Sequence, residues 1–153
     1  RDFWKYLLLL VGVGVVIVLI FSFSLPSCSS ERFNEQLVTV PDGTVLETAV
    51  ADNINERSLG LSICEELAAD QAMLFIFNKS DIYSFWMKDM HFPIDIFWLD
   101  EHKQVVYIHE HAQPQEYDQG ISYVPDVDAR YVLETVAGFA EDHEMSIGNQ
   151  LSW

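Results

Sequence analysis

Lys88, Asp89 and Asp95 sit inside one aromatic block, S-F-W-M-K-D-M-H-F-P-I-D-I-F-W-L-D, which runs from Ser84 to Asp100. Two tryptophans and three phenylalanines share these seventeen residues with one lysine and three aspartates. Aromatic side chains bury large areas, so the block must be core, ligand wall or both. A charge embedded in it has to be hydrogen-bonded or paired wherever it is buried. Asp95, in I-D-I-F-W, and Glu134, in R-Y-V-L-E-T-V, are the carboxylates set deepest in apolar sequence. Lys88, Arg57 and Arg130 are the cations available to pair with them. Two readings follow. In the first, these groups form a structural ion-pair network that fixes strand register, the commoner fate of such residues. In the second, they line the floor of a ligand pocket walled by Trp86 and Trp98. The candidate binding residues are then Trp86, Lys88, Asp89, Asp95, Trp98, Arg57, Arg130 and Glu134.

Catalysis asks for more than the chain offers. An envelope hydrolase using Asp95 and Glu134 would need two carboxylates roughly 5–10 Å apart in an open cleft. No nucleophile or metal set accompanies them, so no residue is given a catalytic role. His109 and His111 fall on one face if strand alternation holds, but two histidines do not make a metal site, and His91, His102 or His143 can supply a third ligand only if the fold brings it near. The acidic stretch Glu116-Tyr117-Asp118 with Asp126 and Asp128 lacks the spacing of an EF-hand loop and reads as a solvated loop. Ser58 and Ser122 have no G-x-S-x-G context. A phosphate-binding glycine loop is also missing. Neither a metal site nor a cofactor is expected.

The elements that must position these residues are mostly strands. Gln36–Val40 alternates, Pro41-Asp42-Gly43 marks a turn, and Thr44–Asp52 alternates again, which predicts a hairpin. Asn53 or Asn55 caps a short helix to about Leu59, ended by Gly60. Ala72–Phe77 is an unbroken apolar run, read as a buried strand. Tyr83–Lys88 and Ile94–Leu99 are two further strands, separated around Pro93. Gln104–His111 and Arg130–Val136 are strands, Ala137–Glu144 is a short helix, and Ile147–Gln150 is a closing turn. Several short strands between turn signals predict a mainly β domain, a compact antiparallel sandwich or barrel-like fold with one or two short helices.

A different chemistry precedes this domain. Leu7–Leu25 is nineteen residues without a charge. At ~1.5 Å per residue a helix of that length spans roughly 28 Å, close to the ~30 Å hydrocarbon core. Arg1 and Lys5 lie before it and acidic sequence after it, which places the N-terminus inside and the rest outside. Residues 1–26 therefore read as a membrane anchor or signal segment, 27–35 as a polar tether, and 36–153 as an extracytoplasmic β-rich domain. The expected location is the cell membrane, through a single pass or a lipid anchor. Leu25-Pro26-Ser27-Cys28 resembles a lipobox, which makes Cys28 the candidate lipidation site of a lipoprotein; cleavage as a simple signal peptide is the third option. Cys64, the only other cysteine, reads as a small semi-buried apolar residue, and no disulfide is expected.

The chain carries a formal charge of −16. From Ser29 onward, six Lys/Arg face twenty-three Asp/Glu, a charge of −17. That field repels phosphate backbones, so nucleic acid is not an expected partner. The expected partners are the membrane, through the N-terminal helix, and an envelope protein or small-molecule ligand.

In order along the chain stand Glu56-Arg57-Ser58-Leu59-Gly60-Leu61, Met73-Leu74-Phe75-Ile76-Phe77, Phe85-Trp86-Met87-Lys88-Asp89-Met90, Phe92-Pro93-Ile94-Asp95-Ile96, Leu99-Asp100, Tyr131-Val132-Leu133-Glu134, Ala137-Gly138 and Ile147-Gly148. With these pieces the sequence resembles the uncharacterised bacterial and archaeal family called "domain of unknown function 192", over roughly Thr44 to Leu151. The resemblance implies a compact, mainly β domain, often exported or membrane-tethered, with no settled activity. Three departures stand out. Ser62-Ile63-Cys64 occupies the place of a usual arginine, Ala72 that of a glycine, and Asn149 that of an aspartate. The combined expectation is a membrane-tethered extracytoplasmic binding or interaction module for a small molecule, glycan or envelope protein. The alternatives are the hydrolase above and a purely structural partner domain.

Overall fold

The structure of the protein, a computed structural model, describes residues 33–153. The apolar run Leu7–Leu25 and the candidate lipidation site Cys28 lie outside the described residues. No helix among the described residues is long and apolar enough to cross a membrane.

Six strands form one mixed sheet in the order β1-β2-β3-β6-β4-β5. The strands are β1 (Asn34–Thr39), β2 (Val45–Ala51), β3 (Gln71–Asp81), β4 (Ile94–Leu99), β5 (Val105–Ala112) and β6 (Ala129–Val136). All neighbouring pairs are antiparallel except β2 and β3. The expected β1–β2 hairpin forms around Asp42, whose Oδ1 accepts the Thr44 N–H at 2.8 Å, and Gly43 takes the left-handed φ of 90° that the turn requires. The parallel β2–β3 pair needs a crossover. That crossover holds helix α1 (Ile54–Leu59) and a 3-10 turn (Gly60–Ile63). Asn53 caps α1 and Glu56 completes a capping box, as the sequence pattern predicts.

The sandwich or barrel expectation is corrected: a single open sheet carries a core on each face. Met73, Phe75, Ile96, Trp98 and Val132 belong to one core, and Leu74, Phe97, Leu99 and Leu133 to the other. A strand covered on both faces is apolar at nearly every position, and all six residues of β4 are buried. The C-terminal segment touches both edges of the sheet: Ser152 bridges Thr39 at the end of β1, and Gln150 bridges Gln104 just before β5. Helix α2 (Phe139–Asp142) packs Phe139 and Ala140 into the second core and is shorter than the predicted Ala137–Glu144.

Two further corrections matter for the site. Tyr83–Lys88 is not a strand. It crosses the first face of the sheet, tied by the reciprocal Phe85–Tyr123 bridge, by Trp98 Nε1–H, which donates to Tyr83 O at 2.8 Å, and by the Tyr83 hydroxyl, which donates to Lys79 O at 2.9 Å. Its aromatic alternation serves burial against the sheet rather than pairing within it: Phe85 packs edge-on against both Phe75 and Trp98. Cys64, in turn, is disulfide-bonded, so the expectation of a lone apolar cysteine fails. Its burial in the first core is compatible with both states, which is why the sequence context misled.

Candidate functional site

The crossing segment, α1 and the adjoining 3-10 turn enclose a cavity of about 340 Å³ over the first face of the sheet. That volume falls at the small end of small-molecule sites, about 300–1,000 Å³. Phe75 and Phe77 from β3, with Tyr83 and Phe85 from the crossing segment, supply its aromatic wall. Phe77 stacks on Tyr83 with ring centroids 3.5 Å apart. Gly60 supplies the positive φ with which the crossover turns above this wall. Its φ is 51°, and a side chain there would begin 3.5 Å from the Phe75 ring.

Glu134 lies in β6 between Met73 of β3 and Ile96 of β4, both fully buried. Its side chain is on the cavity side and only 4 % of the residue is exposed. It has neither an ion pair nor a hydrogen bond to another described residue. Burial alone pushes the Glu134 carboxyl up to about 8, because a charged carboxylate loses its hydration there and gains nothing in return. At neutral pH it holds its proton. The cavity thus has a floor group that can donate and accept a hydrogen bond, or ionise against an incoming cation.

The rim is charged. Arg57, on α1, donates from Nη1 to Asp52 O and, at 3.0 Å, to Ile76 O, and its guanidinium lies 5.2 Å from the centre of the Phe77 ring. These bonds hold it over the mouth while leaving its charge without a carboxylate partner within 4 Å among the described residues. Lys88 and Asp89 also line the cavity, and neither makes an ion pair among the described residues. Asp89 adopts a left-handed φ of 57°, where the chain turns back toward Pro93. Trp86 completes the rim and is 53 % exposed.

Of the eight candidate binding residues, Arg57, Trp86, Lys88, Asp89 and Glu134 therefore meet at one cavity, and Asp95, Trp98 and Arg130 do not line it. Asp95 points to the other face of the sheet. Its Oδ1 accepts the His111 N–H at 2.8 Å, and its Oδ2 accepts Gly138 N–H at 3.0 Å and Ala140 N–H at 2.9 Å. The expected pairing of Asp95 with Lys88, Arg57 or Arg130 is corrected accordingly. Three backbone donors, brought together by the end of β5 and the start of α2, satisfy the carboxylate instead. Because Asp95 and Glu134 lie on opposite faces of the sheet, they cannot flank one scissile bond. Trp98 is core, and its indole N–H anchors the crossing segment rather than walling the cavity. The Arg130 Nε is buried without a hydrogen-bond partner. The expected ion-pair network between Lys88, Arg57, Arg130, Asp95 and Glu134 does not form.

His109 and His111 do not converge either. A register shift at the Ile94/Ile96 pairing and a φ of 58° at His111 break the alternation. His109 lies against the Tyr123 ring at 4.1 Å, and His111 Nδ1 is 3.5 Å from Asp95 Oδ1. No group of three or more potential metal ligands occurs among the described residues. Phe75, Phe77, Tyr83 and Phe85 were not singled out from the sequence. Their signal was present in the aromatic content of Met73–Phe77 and Tyr83–Lys88, which reads equally well as core.

The family profile covers residues 37–153, which contain the whole sheet-forming region beyond the first half of β1 and every residue of the cavity. The chain belongs to the DUF192 family, Uncharacterized ACR. Two solved structures share the DUF192 fold seen here. One, from Sinorhizobium meliloti 1021 and named a "putative transcription regulator", is 26% identical, with a TM-score of 0.72, over 78% of this chain and 94% of that one. The other, a protein of unknown function from Novosphingobium aromaticivorans DSM 12444, is also 26% identical, with a TM-score of 0.75, over 82% of this chain and 89% of that one. No curated protein matches the chain. The DUF192 signature F-W-M-K-D-M contributes Phe85, Trp86, Lys88, Asp89 and Met90 to the cavity lining, and the later Y-V-L-E contributes Glu134. Two of the departures from the DUF192 pattern are absorbed locally: Ala72 is buried in the second core, and Asn149 Oδ1 accepts the Ser146 N–H at 2.8 Å to close its turn.

Proposed function

We propose that this DUF192 protein is a membrane-tethered extracytoplasmic binding module whose ligand site is the Glu134 cavity. The observation that carries the reading is Glu134 itself, a buried carboxyl without a partner among the described residues, at the floor of an aromatic cavity. A fold stabilised only by packing would place an apolar residue or a paired acid there. The uncharged run Leu7–Leu25 and the asymmetry of charge around it support the tether and the outward orientation. One structural relative is named a putative transcription regulator, but the −16 charge of this chain disfavours direct contact with nucleic acid.

The test is a calorimetric and thermal-shift screen of the full chain, in detergent or nanodiscs, against small metabolites and short glycans. At least one compound should bind at a single site and lose that binding in Glu134→Gln and Trp86→Ala. A screen without binders, together with variants that change stability alone, overturns the reading. Protease accessibility of a C-terminal epitope in intact and permeabilised cells tests the orientation: cleavage in intact cells is expected, and protection until permeabilisation contradicts it.

A further inference from the structure

The cavity holds unmatched groups of both kinds at different depths. At the floor, Glu134 has no cation within 4 Å among the described residues. At the rim, Arg57 and Lys88 have no carboxylate within that distance among the described residues, although Asp89 lies on the same rim and offsets one of the two charges. Between floor and rim the wall is aromatic: Phe75, Phe77 and Phe85. A neutral apolar ligand would leave the floor acid without a partner and would gain nothing from the charges of the rim. A simple anion would be drawn to the rim but repelled by Glu134 whenever that group ionises. A simple cation would suit the floor, yet it must pass the rim charges. One ligand chemistry answers every layer.

We propose that the cavity takes a small linear zwitterion, with its ammonium end on Glu134, an apolar body against the aromatic wall and its carboxylate end between Arg57 and Lys88. The inference rests on the cavity being a ligand site and names what that site selects. The aromatic faces stabilise an ammonium group passing between them, and a charge-assisted bond to Glu134 is stronger in this water-poor floor than in solvent. Binding is coupled to a proton. Glu134 is protonated in the empty site, so docking of an ammonium group forms a carboxylate–ammonium pair and releases the Glu134 proton to the buffer. The other charged or titratable groups on the cavity are Arg57 from α1 and Tyr83, Lys88 and Asp89 from the crossing segment. From β3 only Phe75 and Phe77 line it.

Four six-carbon probes separate the terms: 6-aminohexanoate, hexylamine, hexanoate and hexanol. Each is titrated into the full chain by calorimetry at about pH 6, in two buffers of different ionisation enthalpy. 6-Aminohexanoate should bind at least tenfold more tightly than any of the other three and release close to one proton per molecule. Glu134→Gln, checked for folding by thermal melting, should abolish the proton release and lower the affinity at least tenfold. Lys88→Ala alters an exposed side chain without a protein partner among the described residues, and should bring 6-aminohexanoate down toward the level of hexylamine. If hexanol or hexanoate binds as well as 6-aminohexanoate, or binding proceeds without proton release, the zwitterion inference is overturned and the cavity remains a ligand site. If none of the four binds while another metabolite occupies the cavity, the inference also falls alone. If neither these probes nor the metabolite screen finds a ligand, both readings fall.

Discussion

Replacing Glu134 with glutamine should stabilise the empty protein, and the gain should grow with pH. Burial raises the carboxyl from its ordinary value of 4.5 to about 8. Between those values the folded state holds a proton that the unfolded state has released. Stability therefore falls as pH rises through this window, the reverse of an ion-paired carboxylate. At about 1.4 kcal/mol per tenfold change in proton binding, the loss relative to pH 4 is about 3 kcal/mol at pH 7 and about 5 kcal/mol above pH 8. Glutamine keeps the shape and cannot ionise, so this loss disappears. The assay is urea unfolding of both proteins at several values from pH 4.5 to 9. The difference between them should be small at the acid end and reach several kcal/mol at the alkaline end. A difference that stays flat with pH would mean that Glu134 titrates alike in the folded and unfolded chains, and a wild type that gains on the variant as pH rises would mean that it is ionised and paired in the folded protein; either result refutes the reasoning.

The other buried carboxylate should respond in the opposite sense. Asp95→Ala leaves the His111, Gly138 and Ala140 N–H groups without their acceptor, and should cost about 3–5 kcal/mol at neutral pH, read as a lower urea midpoint. Asp42 is held down to about 2 from 3.8, mainly by its hydrogen bond to His143 and then by the Thr44 N–H. Its contribution is fully present above the ordinary value and lost as pH falls toward 2, so Asp42→Asn should lower the urea midpoint at pH 5 and leave it unchanged near pH 2. Trp86→Ala removes a half-exposed ring without a core role, and should shift the midpoint by less than about 1 kcal/mol while weakening any cavity ligand.

What the sequence could disclose followed from what is local. The β1–β2 turn, the Asn53 capping box and the all-apolar β4 were readable because turn chemistry, capping and continuous burial are written into consecutive residues. The depth of Glu134 was readable for the same reason. Its lack of a partner was not, because that depends on where the crossover and the crossing segment put Arg57 and Lys88. Asp95 misled in a complementary way. Its partners are backbone N–H groups from residues sixteen to forty-five positions away, and backbone donors leave no trace in side-chain identity. The Tyr83–Lys88 segment alternates as a strand does, but its neighbour in space is a sheet face rather than a sheet edge, and alternation alone cannot tell these apart.

The reciprocal bond between Phe85 and Tyr123 has a kinetic consequence. Phe85 N–H donates to Tyr123 O at 2.9 Å and Tyr123 N–H to Phe85 O at 2.8 Å. The two bonds close one ring, so the opening that lifts the crossing segment from Tyr123 exposes both amides together. Thirty-eight positions apart in the chain, they should therefore show one common protection factor against hydrogen exchange, and that factor measures the fraction of time for which the cavity wall is lifted. A ligand seated on Glu134 should slow both amides by the same factor and leave the amides of β4 unchanged.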